Sequence, residues 1–153
     1  MTEQSPRRYG TALPMKWILR FMATSFVYLP AGLILLLLAI TGTVHVRSDA
    51  IFVLWLFGFV AMMIFGLSYM FASGLTRATA SMNSTMSAEY ALLNAGIIAF
   101  FAGYSGFLFP PVGEYFAAAG LISMLLSVLM HAANIVRAVK GTRNTGARSR
   151  EDE

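Results

Sequence analysis

The stretch Phe116–Arg137, FAAAGLISMLLSVLMHAANIVR, is the last of four long apolar runs in a chain of 153 residues. At about 1.5 Å per residue, a helix of this length crosses a hydrocarbon core roughly 30 Å thick. Ala119, Ser123, Ser127 and His131 recur at every fourth position, so they lie along one ridge of that helix. In lipid, helices are not driven together by the hydrophobic effect, so they associate through close packing. Small residues allow a second helix to approach closely. The ridge is therefore predicted to be the packing surface of this helix.

The composition indicates that lipid surrounds the chain. Hydrophobic residues make up 58% of the sequence, charged residues only 12%, and the mean hydropathy is +0.68. An ordinary soluble domain carries about 25% charged residues. We therefore predict an all-α fold, a four-helix transmembrane bundle in the cell membrane. The chain has no cysteine, which excludes disulfides, thiolate catalysis and zinc–thiolate or iron–sulfur ligation.

Polar stretches and turns divide the chain into three predicted parts. These are a polar N-terminal tail (1–14), a single membrane domain (15–140) with spans at about 17–42, 50–73, 89–108 and 116–137, and a polar, disordered C-terminal tail (141–153). Glu89 would then begin the third span, where a carboxylate interacts favourably with the helix dipole.

The basic residues predict the orientation of the bundle. If both tails and the second loop share one side, ten of the eleven Lys and Arg residues lie there and only Arg47 lies opposite. This imbalance predicts that both termini are cytoplasmic. Basic residues confined to tails and short loops do not form the stripe typical of nucleic-acid binding, so no nucleic-acid partner is expected.

Further small residues predict close helix packing. Gly58 and Gly66 lie on one ridge of the second span, and Gly96 and Gly103 lie near one face of the third. Together with the small residues of the fourth span, these glycines provide more close-packing surface than the four helices of one bundle need to pack against each other. We therefore expect other membrane subunits, or a second copy of the chain, as partners besides the bilayer.

His131 is the candidate site, because an ionisable group inside a membrane span indicates function. As a functional residue it would bind a cofactor, as a haem or metal ligand, or relay a proton. The favoured interpretation is a neutral imidazole that hydrogen-bonds to Asn134, to a carbonyl, or to Asn94 and tyrosines of a neighbouring helix. No second histidine or carboxylate stands at ligand spacing, so no metal site is predicted. The sequence lacks nucleotide-binding loops, Ser/His/Asp sets and HExxH, so no catalytic residue is predicted and an enzyme is not favoured.

Three segments of the chain carry a family resemblance: GFVAMMIFGLSYMFAS (58–73), YALLNAG (90–96) and Ala133-Asn134. They resemble parts of subunit I of haem–copper oxidases and nitric-oxide reductases. The resemblance implies a helix that packs through glycines eight residues apart. The resemblance makes haem a possible cofactor. The family, however, carries haem-ligand histidines where this chain has Ile51 or Val53 and Met70, so the ligand pattern for haem is absent.

These observations favour one function and leave two alternatives open. The favoured function is a small, non-catalytic subunit that packs within a larger membrane complex, possibly a respiratory one, or within a homo-oligomer. The first alternative is a redox protein that binds haem or a metal through His131. The second is a small transporter or channel gated near Asn94, His131 and Asn134.

Overall fold

The structure, a computed structural model, describes residues 15–75 and 83–151, and the side chains within them except those of 73–75, 83 and 139–151. Every regular element in these ranges is helical: α1 (Met15–Ile40), α2 (Ser48–Val53), a π-helix (Leu54–Ala61), α3 (Met62–Leu75), α4 (Asn83–Tyr104) and α5 (Pro110–Glu151). The predicted N-terminal tail, 1–14, lies outside the described residues.

Four helical rods are long and apolar enough to cross a membrane, which confirms the all-helical, four-span prediction at this level. The candidate spans are Met15–Ile40, Ser48–Ala72, Ser84–Tyr104 and Pro110–Ala138. Glycines with positive φ end two of the helices, because this backbone region is open to glycine at little cost. Gly42 (φ 71°) follows α1, and Gly106 (φ 90°) follows α4.

The second span is one rod with a change of helical type in its middle. The backbone at Val53 and at Met62 is right-handed helical, so α2, the π-helix and α3 are continuous. The predicted ridge through Gly58 and Gly66 assumed α-helical geometry throughout. Gly58 and Gly66 both face α1, whereas Met70, four residues beyond Gly66, is 41% exposed.

The third and fourth spans begin earlier than predicted. Helix α4 starts at Asn83, not at residue 89, and ends at Tyr104. Helix α5 starts at Pro110, because proline suits the first turn of a helix, where its missing N–H has no helical partner. Helix α5 continues to Glu151, so residues 141–151 are helical and not a disordered tail. Extending an existing helix avoids the nucleation cost that a separate short helix would meet.

Helix α5 buries a stripe that differs from the predicted ridge. Its buried residues are separated alternately by four and three positions: Gly113, Ala117, Gly120, Met124, Ser127, His131, Asn134 and Ala138. This spacing keeps one face of a helix towards a neighbour along a shallow crossing. The predicted ridge meets the stripe only at Ser127 and His131. Ala119 is exposed, and Ser123 is half-buried.

Helices α4 and α5 approach each other most closely at glycines. A Cβ atom on Gly96 would lie 2.9 Å from the carbonyl oxygen of Gly120, and one on Gly103 would lie 2.5 Å from the backbone nitrogen of Ala117. In the second span, a Cβ on Gly58 would lie 2.6 Å from the ring of Tyr28. Gly66 faces α1, where a Cβ would lie 2.9 Å from Cγ of Met22.

Candidate functional site

Glu89 lies inside the bundle and is completely buried, with 0% of its surface exposed. Because α4 begins at Asn83, Glu89 is in the second turn of the helix and on the face that also buries Leu93 and Ile97. A buried carboxylate is costly unless it is paired and hydrogen-bonded. Its surroundings therefore decide what this part of the bundle can do.

The imidazole of His131, from α5, is the ionic partner of Glu89. Nδ1 of His131 lies 2.8 Å from Oε1 of Glu89. Nε2 of the same ring lies 2.7 Å from the hydroxyl oxygen of Ser68 in α3. Three helices thus meet at this histidine, which is only 9% exposed.

The second oxygen of Glu89 accepts two further hydrogen bonds. The phenol of Tyr69 donates to Oε2, and Nδ2 of Asn134 lies 3.2 Å from the same oxygen. Nδ2 of Asn134 also lies 3.0 Å from the phenol oxygen of Tyr69. The hydroxyl of Ser127 donates to the backbone carbonyl of Glu89 over 3.0 Å. We call Ser68, Tyr69, Glu89, His131 and Asn134 the polar cluster.

The hydrogen bonds around Glu89 and His131 are all satisfied when the two side chains form an ion pair. The hydroxyl of Ser68 donates to the carbonyl of Phe65 over 2.9 Å, so its oxygen is left to accept from Nε2–H of His131. Nδ1 faces a carboxylate that already accepts from Tyr69 and Asn134. The arrangement therefore fits an imidazolium that donates from both nitrogens and a carboxylate that only accepts.

Aromatic rings enclose the imidazole. The ring of Phe65 stacks on that of His131 with centroids 3.9 Å apart and planes inclined by 2°. The ring of Tyr69 meets the imidazole edge-on, with centroids 4.8 Å apart. A positive charge over an aromatic face is stabilised by the ring quadrupole, most strongly where water is excluded. The aromatic rings thus favour the same charged form.

Two more polar pairs join α1 to α4 beside the polar cluster. The hydroxyl of Thr24 lies 2.6 Å from the phenol oxygen of Tyr90. The phenol of Tyr28 donates to Oδ1 of Asn94 over 2.9 Å, and Nδ2 of Asn94 donates to the carbonyl of Tyr90. Asn94 therefore has its own partners, away from the imidazole of His131.

The structure brings together only part of what the sequence predicts. His131 and Asn134 share one cluster, but the imidazole contacts Glu89 and Ser68, whereas Asn134, one of the partners considered for it, bonds to Glu89 and Tyr69. Glu89 was missed because the helix was expected to begin there. Its spacing from Leu93, Ile97 and Phe100, at intervals of four, four and three, is a helical signal that would have placed it on the packed face.

Haem or metal ligation by His131 finds little support in this geometry. Both ring nitrogens are within hydrogen-bond distance of Ser68 or Glu89, so a ligated ion would have to displace one of them. Within residues 15–75 and 83–151, no group of three or more His, Cys, Asp or Glu side chains lies close enough together to hold a metal ion.

No family model, curated protein or solved structure matches this chain. The resemblance of residues 58–73 to oxidase subunit I stays a prediction.

Proposed function

We propose that this chain is a small multi-pass protein of the cell membrane that moves protons, with the Glu89–His131 pair as the site that binds and releases them. The observation that carries the proposal is a fully buried carboxylate paired with an imidazole between apolar spans. Ionisable side chains within spans are expensive and commonly mark proton or ion pathways. The cytoplasmic position of both termini, favoured by the basic residues, belongs to the same proposal.

The chemistry of the pair suits a single proton. Movement of the proton from Nδ1 of His131 to Oε1 of Glu89 converts the ion pair into a neutral imidazole and a carboxylic acid with no change in net charge. The distance of 2.8 Å between the two atoms is a hydrogen-bond length, so the transfer needs little movement. The acid then releases the proton, and a new proton bound by the imidazole restores the ion pair.

Proton flux into liposomes tests the proposal. The purified chain is reconstituted with a pH-sensitive dye inside, and a potassium diffusion potential drives proton entry. We expect faster acidification than in empty liposomes, and loss of this excess in Glu89→Gln and in His131→Gln. The matched control is Ser123→Ala, which removes an α5–α4 hydrogen bond to the carbonyl of Leu92 and leaves the pair intact.

Two outcomes would reject proton movement. One is wild-type protein that acidifies no faster than empty liposomes. The other is Glu89→Gln protein that folds, as judged by circular dichroism and a single symmetric peak in gel filtration, and keeps the full flux.

A subunit role in a larger assembly is the second candidate, and the position of α1 favours it. In the most apolar 18-residue stretch of α1, only 11% of the residues are buried inside the bundle. The corresponding share is 28–39% in the other three spans. Its outward side chains include Phe26, Val27, Ile34 and Leu37, each more than half exposed. Another chain could cover this face, although lipid would also do so.

Purification in mild detergent followed by native mass spectrometry tests the subunit role. A mass above that of one chain, lost when Val27 and Ile34 are replaced by bulky tryptophan, would support it. A monomer at all detergent concentrations would contradict it.

A further inference from the structure

A cavity of about 620 Å³ opens at the end of the bundle where α4 stops and α5 begins. Its size falls within the range of small-molecule sites, roughly 300–1,000 Å³. The inner wall is formed by small and apolar residues of the two helices, among them Gly103, Ala117 and Leu121. Leu121 is 48% exposed, so the apolar wall continues onto the outer face of α5, where lipid chains would lie.

Two side chains of opposite charge line the same cavity. Arg47 comes from the segment between α1 and α2, and Glu114 comes from the second turn of α5. The guanidinium of Arg47 lies over the ring of Tyr104, 4.2 Å from its centroid. Its two hydrogen bonds in the described part of the chain both come from Nη2, to the phenol of Tyr104 (2.9 Å) and to Asp49 (3.4 Å). Tyr104 and Asp49 thus hold the guanidinium at the cavity through one of its three nitrogens.

We infer that this cavity binds the headgroup of a zwitterionic phospholipid with a primary ammonium, its phosphate on Arg47 and its ammonium on Glu114. Arginine offers a planar set of donors that matches phosphate oxygens. A carboxylate that lines the same cavity, Glu114, selects a headgroup that also carries a positive charge and rejects one that is only anionic. The apolar wall towards Leu121 gives the acyl chains a path into the bilayer. The inference does not depend on the Glu89–His131 pair, which lies towards the other end of the spans.

Retention of lipid by the full chain tests this inference. The protein is placed in nanodiscs of equal parts phosphatidylethanolamine, phosphatidylcholine and phosphatidylglycerol, and lipids that stay bound after release into mild detergent are counted by native mass spectrometry. We expect phosphatidylethanolamine to be retained most and phosphatidylglycerol least. Glu114→Gln should lower the preference for phosphatidylethanolamine over phosphatidylcholine about tenfold, as expected for loss of one charge-assisted contact. Arg47→Gln should lower the retention of both.

A steric variant separates the cavity from the rest of the surface. Ala118 lines the cavity and is exposed, so Ala118→Phe should fill it and abolish retention without disturbing the contact between α4 and α5. The next residue, Ala119, is also exposed but does not line the cavity, and Ala119→Phe should retain lipid as the wild type does.

Three results would overturn the inference. They are equal retention of the three lipids by the wild type, unchanged retention in Ala118→Phe, and displacement of the lipid by soluble phosphoethanolamine at low millimolar concentration. The last would show that a free small molecule, not a lipid, is the ligand.

Discussion

Oε1 of Glu89 and Nδ1 of His131 lie 2.8 Å apart although 42 residues separate them in sequence. Helices α4 and α5 bring them together because Gly96, Gly103 and Gly120 allow the two backbones to touch farther along the same interface. Close packing at one end of the helix pair thus positions an ionic contact at the other.

Glu89→Gln is expected to destabilise the fold by about 3–5 kcal/mol, because it leaves the imidazolium of His131 buried without its counter-ion. Replacing both residues by leucine should cost less than the sum of the two single leucine replacements, since no charge then remains unpaired. Unfolding in mixed SDS and dodecylmaltoside micelles measures both effects. Additive single effects would show that the two side chains are not coupled.

Nitrogen-15 NMR of histidine-labelled protein at neutral pH should show both ring nitrogens of His131 protonated. The expectation rests on the donors and acceptors around the ring, where Nε2 faces the oxygen of Ser68 and Nδ1 faces Glu89. His45 is the only other histidine of the chain and serves as the internal reference. A signal from an unprotonated ring nitrogen of His131 would contradict the ion pair.

Gly103→Ala should lower the free energy of unfolding by about 1–3 kcal/mol, the usual cost of an overpacked core. The added Cβ would lie 2.5 Å from the backbone nitrogen of Ala117, and backbone atoms cannot move aside as a flexible side chain can. The same unfolding measurement reports the change. Ala95 is exposed on the same helix, and Ala95→Leu is the control expected to change little.

The hydrogen bond between Tyr28 and Asn94 should contribute modestly, about 0.6–1.7 kcal/mol, as polar contacts between membrane helices do. A double-mutant cycle with Tyr28→Phe and Asn94→Leu isolates this coupling energy. A coupling near zero would mean that this hydrogen bond does not help to hold α1 against α4.

The apolar runs predict the existence and number of the spans, because nothing but a helix can satisfy its backbone over such a length in lipid. Which face of each helix packs against its neighbours is harder to predict from the sequence. Residues at every fourth position drift around an α-helix of 3.6 residues per turn, so the predicted ridge leaves the interface at Ala119. The observed stripe alternates steps of three and four and stays on one face.

The polar cluster could be predicted only in part. A single histidine in an apolar run indicates a functional site, and His131 does lie at the centre of the polar cluster. Glu89 was placed at a helix end because Asn83, Ser84 and Thr85 suggest a loop, although they form the first turn of α4. The role of Ser68 depends on how α3 is rotated towards α5, and no periodicity within either helix specifies that angle.

The π-helix Leu54–Ala61 gives the second span a particular tolerance. Its i→i+5 hydrogen bonds form wider turns than those of an α-helix, so the segment holds more residues per turn. Deleting one residue within this segment should therefore convert it to an ordinary α-helix. The contacts of Phe65 and Ser68 with the imidazole of His131 should then be preserved. A deletion in α3 itself would instead rotate these two side chains away from the imidazole. The π-helix is therefore the part of the second span where one residue can be lost at the smallest cost in stability.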